Sequence, residues 1–443
     1  MRPAWFPSAL PRDFWLRHIQ VPAALLERIH GPVDGEGLAS LDLWIADGRI
    51  SAIAPAGAAP VGSGIDLRRG QVWPCFVDGH VHLDKTQTWP RQANPDGTHP
   101  GAKAAVIADR AAHYSEAEIA PRFEFGLRCA HAHGTAAIRT HLDSDWPNAK
   151  AHWAVFRRMR DAWAGRIDLQ AVSIAPLERF AGDDGVALAN EVADSGGILG
   201  MTTTGEGGQA ASPEFQAMLD RFFSLAEERG LAMDLHLDET GEAQSRTLDA
   251  VARTAMRRGF RAPIQVGHVC SLSVQEEDAA LATIARCAEA GLRVINLPMC
   301  NMYLQGRGTG RTPRWRGITM VHEFRAAGVP VSFASDNCRD PFYAYGDYDM
   351  MEVYREAVRI AQLDHPFGGW PASVTATPAT ACGFADRGRI AVGAPADLVL
   401  FRARSMNELL ARPQADRVIL RDGKVLAASL PDFRELDCVV GAP

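Results

Sequence analysis

Apolar and polar positions fall into two textures along the chain. Up to residue 75 short stretches alternate residue by residue, as in Leu41-Asp42-Leu43-Trp44-Ile45 and Arg49-Ile50-Ser51-Ala52-Ile53, with Asp47-Gly48 between them. A period of two, broken by Asp-Gly, predicts a β-hairpin with a two-residue turn. The far end reads the same way: 396–401 and 417–421 are strand candidates, and Asp422-Gly423 is a second turn signal.

Between these ends the period changes. Apolar runs at 136–141, 168–173, 197–201, 231–237, 264–269, 292–297 and 329–334 are separated by helical sequence. Ser115-Glu116-Ala117-Glu118 is a capping box, and Ser212-Pro213 opens a helix whose apolar positions Phe215, Met218, Leu219, Phe222 and Phe223 recur at helical spacing. Apolar strands alternating with helices predict a parallel sheet covered by helices. With a strand at 72–82 the count is about eight, which suits a (β/α)8 TIM-like barrel. The expected fold is α/β, with a barrel over 76–379 and a small β-sandwich formed by 1–75 and 380–443.

Bulk composition narrows the function. The 443 residues are 47% hydrophobic and 22% charged, and the net charge is −7. Lysine occurs only at 85, 103, 150 and 424, and arginine is spread along the chain without a basic stripe. That excludes nucleic acid as an expected partner. Eight cysteines without a CxxC pair read as reduced thiols. The N-terminal stretch lacks the pattern of a signal peptide, and no run approaches the ~18 apolar residues of a membrane span. A cytoplasmic protein away from membranes, assembled as a homo-oligomer, is expected.

Polar clusters sit where the predicted strands end. His80 and His82 are two residues apart, so on a strand both imidazoles face one point. His236 closes the strand from Leu231, with Glu239 three residues on; His268 closes the strand from Ile264; Asp336 and Asn337 follow the strand ending at Ala334. Three imidazoles and a carboxylate suit Zn²⁺ or Fe²⁺, which activates water at neutral pH. Glu239 can then shuttle a proton, His268 can polarise water or an oxyanion, and Asp336 can both touch the metal and collect a proton. His141 ends a strand and is ambiguous. The remaining histidines, His99 and His152 among them, read as structural or surface residues.

These stretches, GHVHLDKTQT (79–88), IRTHLD (138–143), DLHLDET (234–240), GHVCSL (267–272), NMYLQGR (301–307), SDNCRDPFYAYGDYDM (335–350) and GRIAVGAPADLVLF (388–401), resemble the amidohydrolase superfamily, and within it the cytosine deaminase branch. By position, the resemblance implies metal ligands His80, His82, His236 and Asp336, a proton-shuttling Glu239 and a second catalytic histidine, His268. It implies hydrolytic deamination of a cytosine-like heterocycle: metal-activated water attacks the amine-bearing carbon and ammonia leaves. Members with two metals carry a carboxylated lysine on a middle strand. Lys85 and Lys150 both lie outside such strands, so one divalent ion (Zn or Fe) is expected.

Two departures bear on the small-molecule substrate. Leu177 or a neighbour stands where the family's substrate-reading glutamine falls, and Asn337 replaces the acidic residue after the metal aspartate. Gln305, in LQGR, is the remaining candidate to face the ring. Leu177, Gln305 and Asn337 are therefore the expected substrate-binding positions, with cytosine or a 5-substituted cytosine such as 5-methylcytosine as substrate. The rival readings are an amide, lactam or N-alkyl amine hydrolase acting on a triazine or creatinine-like ring, and a catalytically inactive binding homologue.

Overall fold

The computed structural model describes residues 5–441 except 8, 61, 63 and 204–209. The chain divides into two compact units. One comprises Met1–Asp78, Arg128–Ala137 and Asp349–Pro431; the other comprises Gly79–Leu127, Ile138–Tyr348 and Asp432–Pro443.

The first unit draws on both ends of the chain. Strands β1 (Phe14–Pro22), β2 (Leu38–Ala46), β3 (Arg49–Pro55) and β4 (Ile65–Asp66) form a sheet in the order β3-β2-β1-β4. The turn between β2 and β3 has positive φ at both Asp47 and Gly48, 49° and 74°, the geometry that matches the twist of paired strands. Alternation in β2 is broken by Asp42, which is buried. Its carboxylate accepts N–H bonds from His18, Gly57 and Ala59, so it ties β1 and the turn after β3 to β2.

The run at 72–82 is two strands, not one. β5 (Val72–Pro74) belongs to the first unit, and β6 (Phe76–Val81) leads into the histidine pair. Pro74 has no N–H to continue a ladder. Past it the partner changes: the N–H of Cys75 bonds to Asp397, and that of Phe76 bonds to Gly134.

The alternating region follows. Its strands are β6, β7 (Thr135–Asp143), β8 (Asp168–Ile174), β9 (Met233–Leu237), β10 (Ile264–His268), β11 (Arg293–Asn296) and β12 (Val331–Phe333). They form a three-stranded sheet, β6-β7-β8, and a four-stranded one, β12-β11-β10-β9, which is parallel throughout. Helices intervene, among them α1 (His99–His113), α2 (Glu116–His133), α3 (Ala149–Trp163), α4 (Asp183–Asp194), α5 (Pro213–Arg229) and α6 (Thr247–Arg258). α5 starts as predicted: Ser212 Oγ accepts from the N–H of Phe215, and Phe215, Leu219, Phe222 and Phe223 are buried.

The expected strand at 197–201 is not a regular ladder. The segment joins its neighbours through isolated parallel bridges, Val172–Ile198 on one side and Leu199–Met233 on the other. At Gly200 the Ser173 hydroxyl takes both backbone groups, accepting the N–H and donating to the carbonyl, which interrupts the backbone ladder. A further parallel bridge, Val81–Asp336, links the end of β6 to the residue three past β12.

The first unit is completed by β13 (Leu398–Leu400), β14 (Val418–Arg421) and β15 (Lys424–Val425), in the order β15-β14-β13-β5. Asp422 and Gly423 again take positive φ, 46° and 69°. Among the described residues the cysteines form no disulfide, and no helix is long and apolar enough to cross a membrane.

Candidate active site and metal centre

The carboxyl ends of the parallel strands bring the polar clusters together. His80 lies in β6, His82 just past it, His236 in β9, His268 at the end of β10 and Asp336 beyond β12. His80 Nε2 and His82 Nε2 stand 3.5 and 3.2 Å from Asp336 Oδ1, and His236 Nε2 is 3.4 Å from His82 Nε2. His268 and Asp336 hold φ near +65° without being glycine, strain of the kind found where a strand end must aim a side chain. Room for the His80 ring comes from Gly267, where a Cβ would sit 3.1 Å from its Cε1.

These donors lack protein partners. His80 Nδ1 and Nε2, His82 Nδ1, His236 Nδ1 and both Asp336 oxygens are buried without a hydrogen bond. Such groups are costly unless something else satisfies them. Burial drives all three imidazoles well below their ordinary pKa, and neighbouring positive groups add to the effect. Neutral imidazole is the ligand form. Burial and then Glu239 raise the Asp336 carboxyl. The donor set fits a divalent metal.

A second grouping, His80, His141 and Asp234, shares one histidine with the first. His141 stacks on His80 with ring centroids 3.9 Å apart, and its Nε2 is 3.4 Å from Asp234 Oδ1. Asp234 Oδ2, however, is already held by Arg139 at 2.9 Å and Gln265 at 2.8 Å. A guanidinium beside the carboxylate disfavours a second cation there. His141 thus supports the His80 ring from below.

Glu239 is aimed by the loop that carries it. Asp238 (φ 52°) accepts from Ser245 Oγ, Thr247 N, Thr247 Oγ1 and Leu248 N, which caps α6 and pins the loop. Gln305 Nε2 donates to the Glu239 carbonyl at 3.2 Å. The carboxylate lies between His268 Nδ1 and His99 Nε2, each 3.4 Å away. Burial pushes its pKa up, but His268 and His99 outweigh burial and bring it down to about 2. Asn301 Nδ2 reaches His268 Nδ1 at 2.9 Å and Glu239 Oε1 at 3.4 Å. His268 Nε2 is buried without a protein partner.

A cavity of about 510 Å³ is lined by His82, His236, Glu239 and His268, and also by Lys85, Arg110, Asp143 and Arg179. In this second set most polar groups are paired. Asp143 receives Arg110 at 2.6 Å and Lys85 at 3.5 Å. Asn337 lines the cavity, but its Nδ2 donates to Asp340 Oδ2 at 2.7 Å. Burial, partly offset by Lys85, raises Asp340 to about 6. Leu177 is buried away from the wall, which is formed there by Ile174, Ala175, Pro176 and Arg179; Gln305 is not on the wall either.

Sequence reasoning passed over His99, Lys85 and Asn301 as site residues. Asn301 and Lys85 lie inside the quoted stretches NMYLQGR and GHVHLDKTQT, so their signal was available. His99 follows a loop and carries no such signal. His152 is buried, and its Nδ1 meets Asp84 Oδ2 at 2.6 Å.

Comparison with known proteins follows the same lines. Residues 179–427 match the family model described as "Amidohydrolase family". The chain is 51% identical to a pterin deaminase of Rhizobium rhizogenes (strain K84 / ATCC BAA-868) over 431 residues, 97% of each chain. It is 24% identical to N-isopropylammelide isopropyl amidohydrolase of Pseudomonas sp. (strain ADP), covering 87% of this chain and 93% of that one. Among solved structures, 5-methylcytosine deaminase from Klebsiella pneumoniae liganded with 5-fluorocytosine superposes with a TM-score of 0.79 at 24% identity, covering 94% of this chain and 98% of that one. Fold, metal-binding cluster and relatives define a metal-dependent hydrolase. The chain belongs to the amidohydrolase family, and it is a hydrolytic deaminase.

Proposed function

We propose that this enzyme deaminates a pterin-like bicycle, replacing the exocyclic 2-amine of a 2-amino-4-oxo ring by oxygen and releasing ammonia. The observation that carries this reading is the 51% identity to a pterin deaminase across 97% of both chains. The cavity supports it. Its wall on α1 runs from His99 to Arg110, a rise of about 16 Å along the helix, which is more than a single six-membered ring occupies. Cytosine shares the amidine edge that reacts, and is the competing substrate.

The fold proposed to hold the site is a closed (β/α)8 barrel, in which the bridges at Val81–Asp336, Val172–Ile198 and Leu199–Met233 join the two sheets. We assign His80, His82, His236 and Asp336 to one divalent ion, Zn or Fe. When bound, the ion supplies an electrophile that acidifies water near neutral pH. Glu239 moves a proton to the ring nitrogen beside the reacting carbon and then to the departing amine. His268 donates from Nε2 to the oxygen that becomes the new carbonyl. The apolar wall of Val106, Ile107, Ile174 and Phe342 encloses the ring.

Ammonia release from pterin, isocytosine, cytosine, 5-methylcytosine, isoguanine and an N-alkyl triazine tests the substrate. Pterin is expected to exceed cytosine in kcat/KM by about 100-fold or more. Preference for a cytosine, or alkylamine in place of ammonia, overturns the reading. Glu239→Gln should lower kcat by about 100-fold or more while the metal stays bound; near-full activity would remove Glu239 as the shuttle.

A further inference from the structure

We propose that His99 is a positioning residue for Glu239, holding one carboxylate oxygen so that the carboxylate keeps a single orientation toward the reacting ring. The inference rests on Glu239 being the proton shuttle. His99 Nε2 is 3.4 Å from Glu239 Oε2, while Oε1 faces His268 and Asn301. The two oxygens are thus held by groups from different parts of the chain. Without His99, the carboxylate would keep its contacts on one side only and rotate about its last bond.

The placement of His99 is over-determined. Thr98 caps α1, its Oγ1 accepting from the N–H of Gly101 at 3.1 Å. Asp96 Oδ1 receives both the N–H and the hydroxyl of Thr98 at 2.8 Å. The buried Asn94 accepts from Gly97 N through Oδ1 and donates through Nδ2 to the carbonyls of Thr98 and Pro341, each at 3.0 Å. Pro341 precedes Phe342, whose ring meets that of His99 edge-on at 5.5 Å. A loop locked at both ends therefore delivers a ring that is only 19% exposed to an otherwise buried carboxylate. His99 is also one of the groups that hold the Glu239 carboxyl down to about 2.

The test compares His99→Ala, His99→Gln and Glu239→Gln in the metal-loaded enzyme, with metal content and Tm measured for each. For His99→Ala, kcat should fall by about 10-fold or more, with KM within about twofold and metal content unchanged. His99→Gln, which keeps a donor for Oε2, should recover most of the lost kcat. A loss confined to KM would make His99 a substrate contact and overturn the proposal, as would an unchanged kcat or equal damage by Gln and Ala. If Ala unfolds the loop, the Gln variant alone decides: kcat as low as that of Glu239→Gln overturns the proposal. Activity retained in Glu239→Gln would instead strike at the proposed function, so the two failures are distinguishable.

Discussion

Two sets of groups around one cavity follow opposite rules. In the first the imidazoles of His80, His82 and His236 and the carboxylate of Asp336 are buried with polar atoms that no protein group satisfies. In the second Lys85 and Arg110 each pair with Asp143, and Asn337 pairs with Asp340. A donor set left unsatisfied by the protein is a place prepared for something else, here a cation. Groups paired in this way form a wall, although Arg110 Nε is buried without a partner.

The contrast is broken most severely in the unsatisfied set. Replacing a ligand, as in His236→Ala or Asp336→Asn, should lower kcat by about 1,000-fold or more, with loss of stoichiometric metal by elemental analysis. A variant that lost metal but kept activity would show that the cluster serves structure alone.

Asp143→Asn addresses the paired set, where it leaves Lys85 and Arg110 without their shared counter-charge. Because breaking a buried pair strands a charge, the expected cost is about 3 kcal/mol of stability, with metal content unaffected. Burial raises the Asp143 carboxyl, but Arg110 and then Lys85 overcome it and hold the group well below its ordinary value. A depressed carboxylate stabilises the fold above its unfolded pKa, and the contribution is lost as pH falls below about 4. The acid limb of Tm against pH should therefore be flatter in Asp143→Asn. An unchanged limb would mean that the network is not the wall described.

The smallest effect sharpens the contrast. Gly267→Ala places a Cβ 3.1 Å from the His80 ring. A ligand held by packing alone should then bind its ion about 10-fold less tightly, measured by competition with a chelator, with Tm nearly unchanged. Equal affinity would show that His80 reorients freely, contrary to its support by His141.

How much of this was legible beforehand differs between the two sets. His80, His82, His236 and Asp336 lie near strand ends, and period-two spacing together with apolar runs reveals strand ends. The hairpins at Asp47-Gly48 and Asp422-Gly423 were readable for a local reason too: both central residues of such a turn need positive φ. The strand expected at 72–82 is divided at Pro74; the one at 197–201 pairs with β8 and β9 through single bridges, its bonding toward β8 replaced at Gly200 by the Ser173 hydroxyl, which takes both backbone groups.

The remainder of the cavity wall was hardly legible. Leu177 and Gln305 were named by position along the chain, and neither lies on the cavity wall, whereas Arg179, Lys85 and His99 do. No local pattern marks His99, because its role depends on a loop tied by Asn94 to Pro341, 247 positions away. The sequence by itself determined the class of chemistry, since metal ligands must be particular residue types and strands announce where they end. Tertiary structure alone decided which side chains face the substrate, because that depends on how distant segments pair and on which polar groups they leave unpaired.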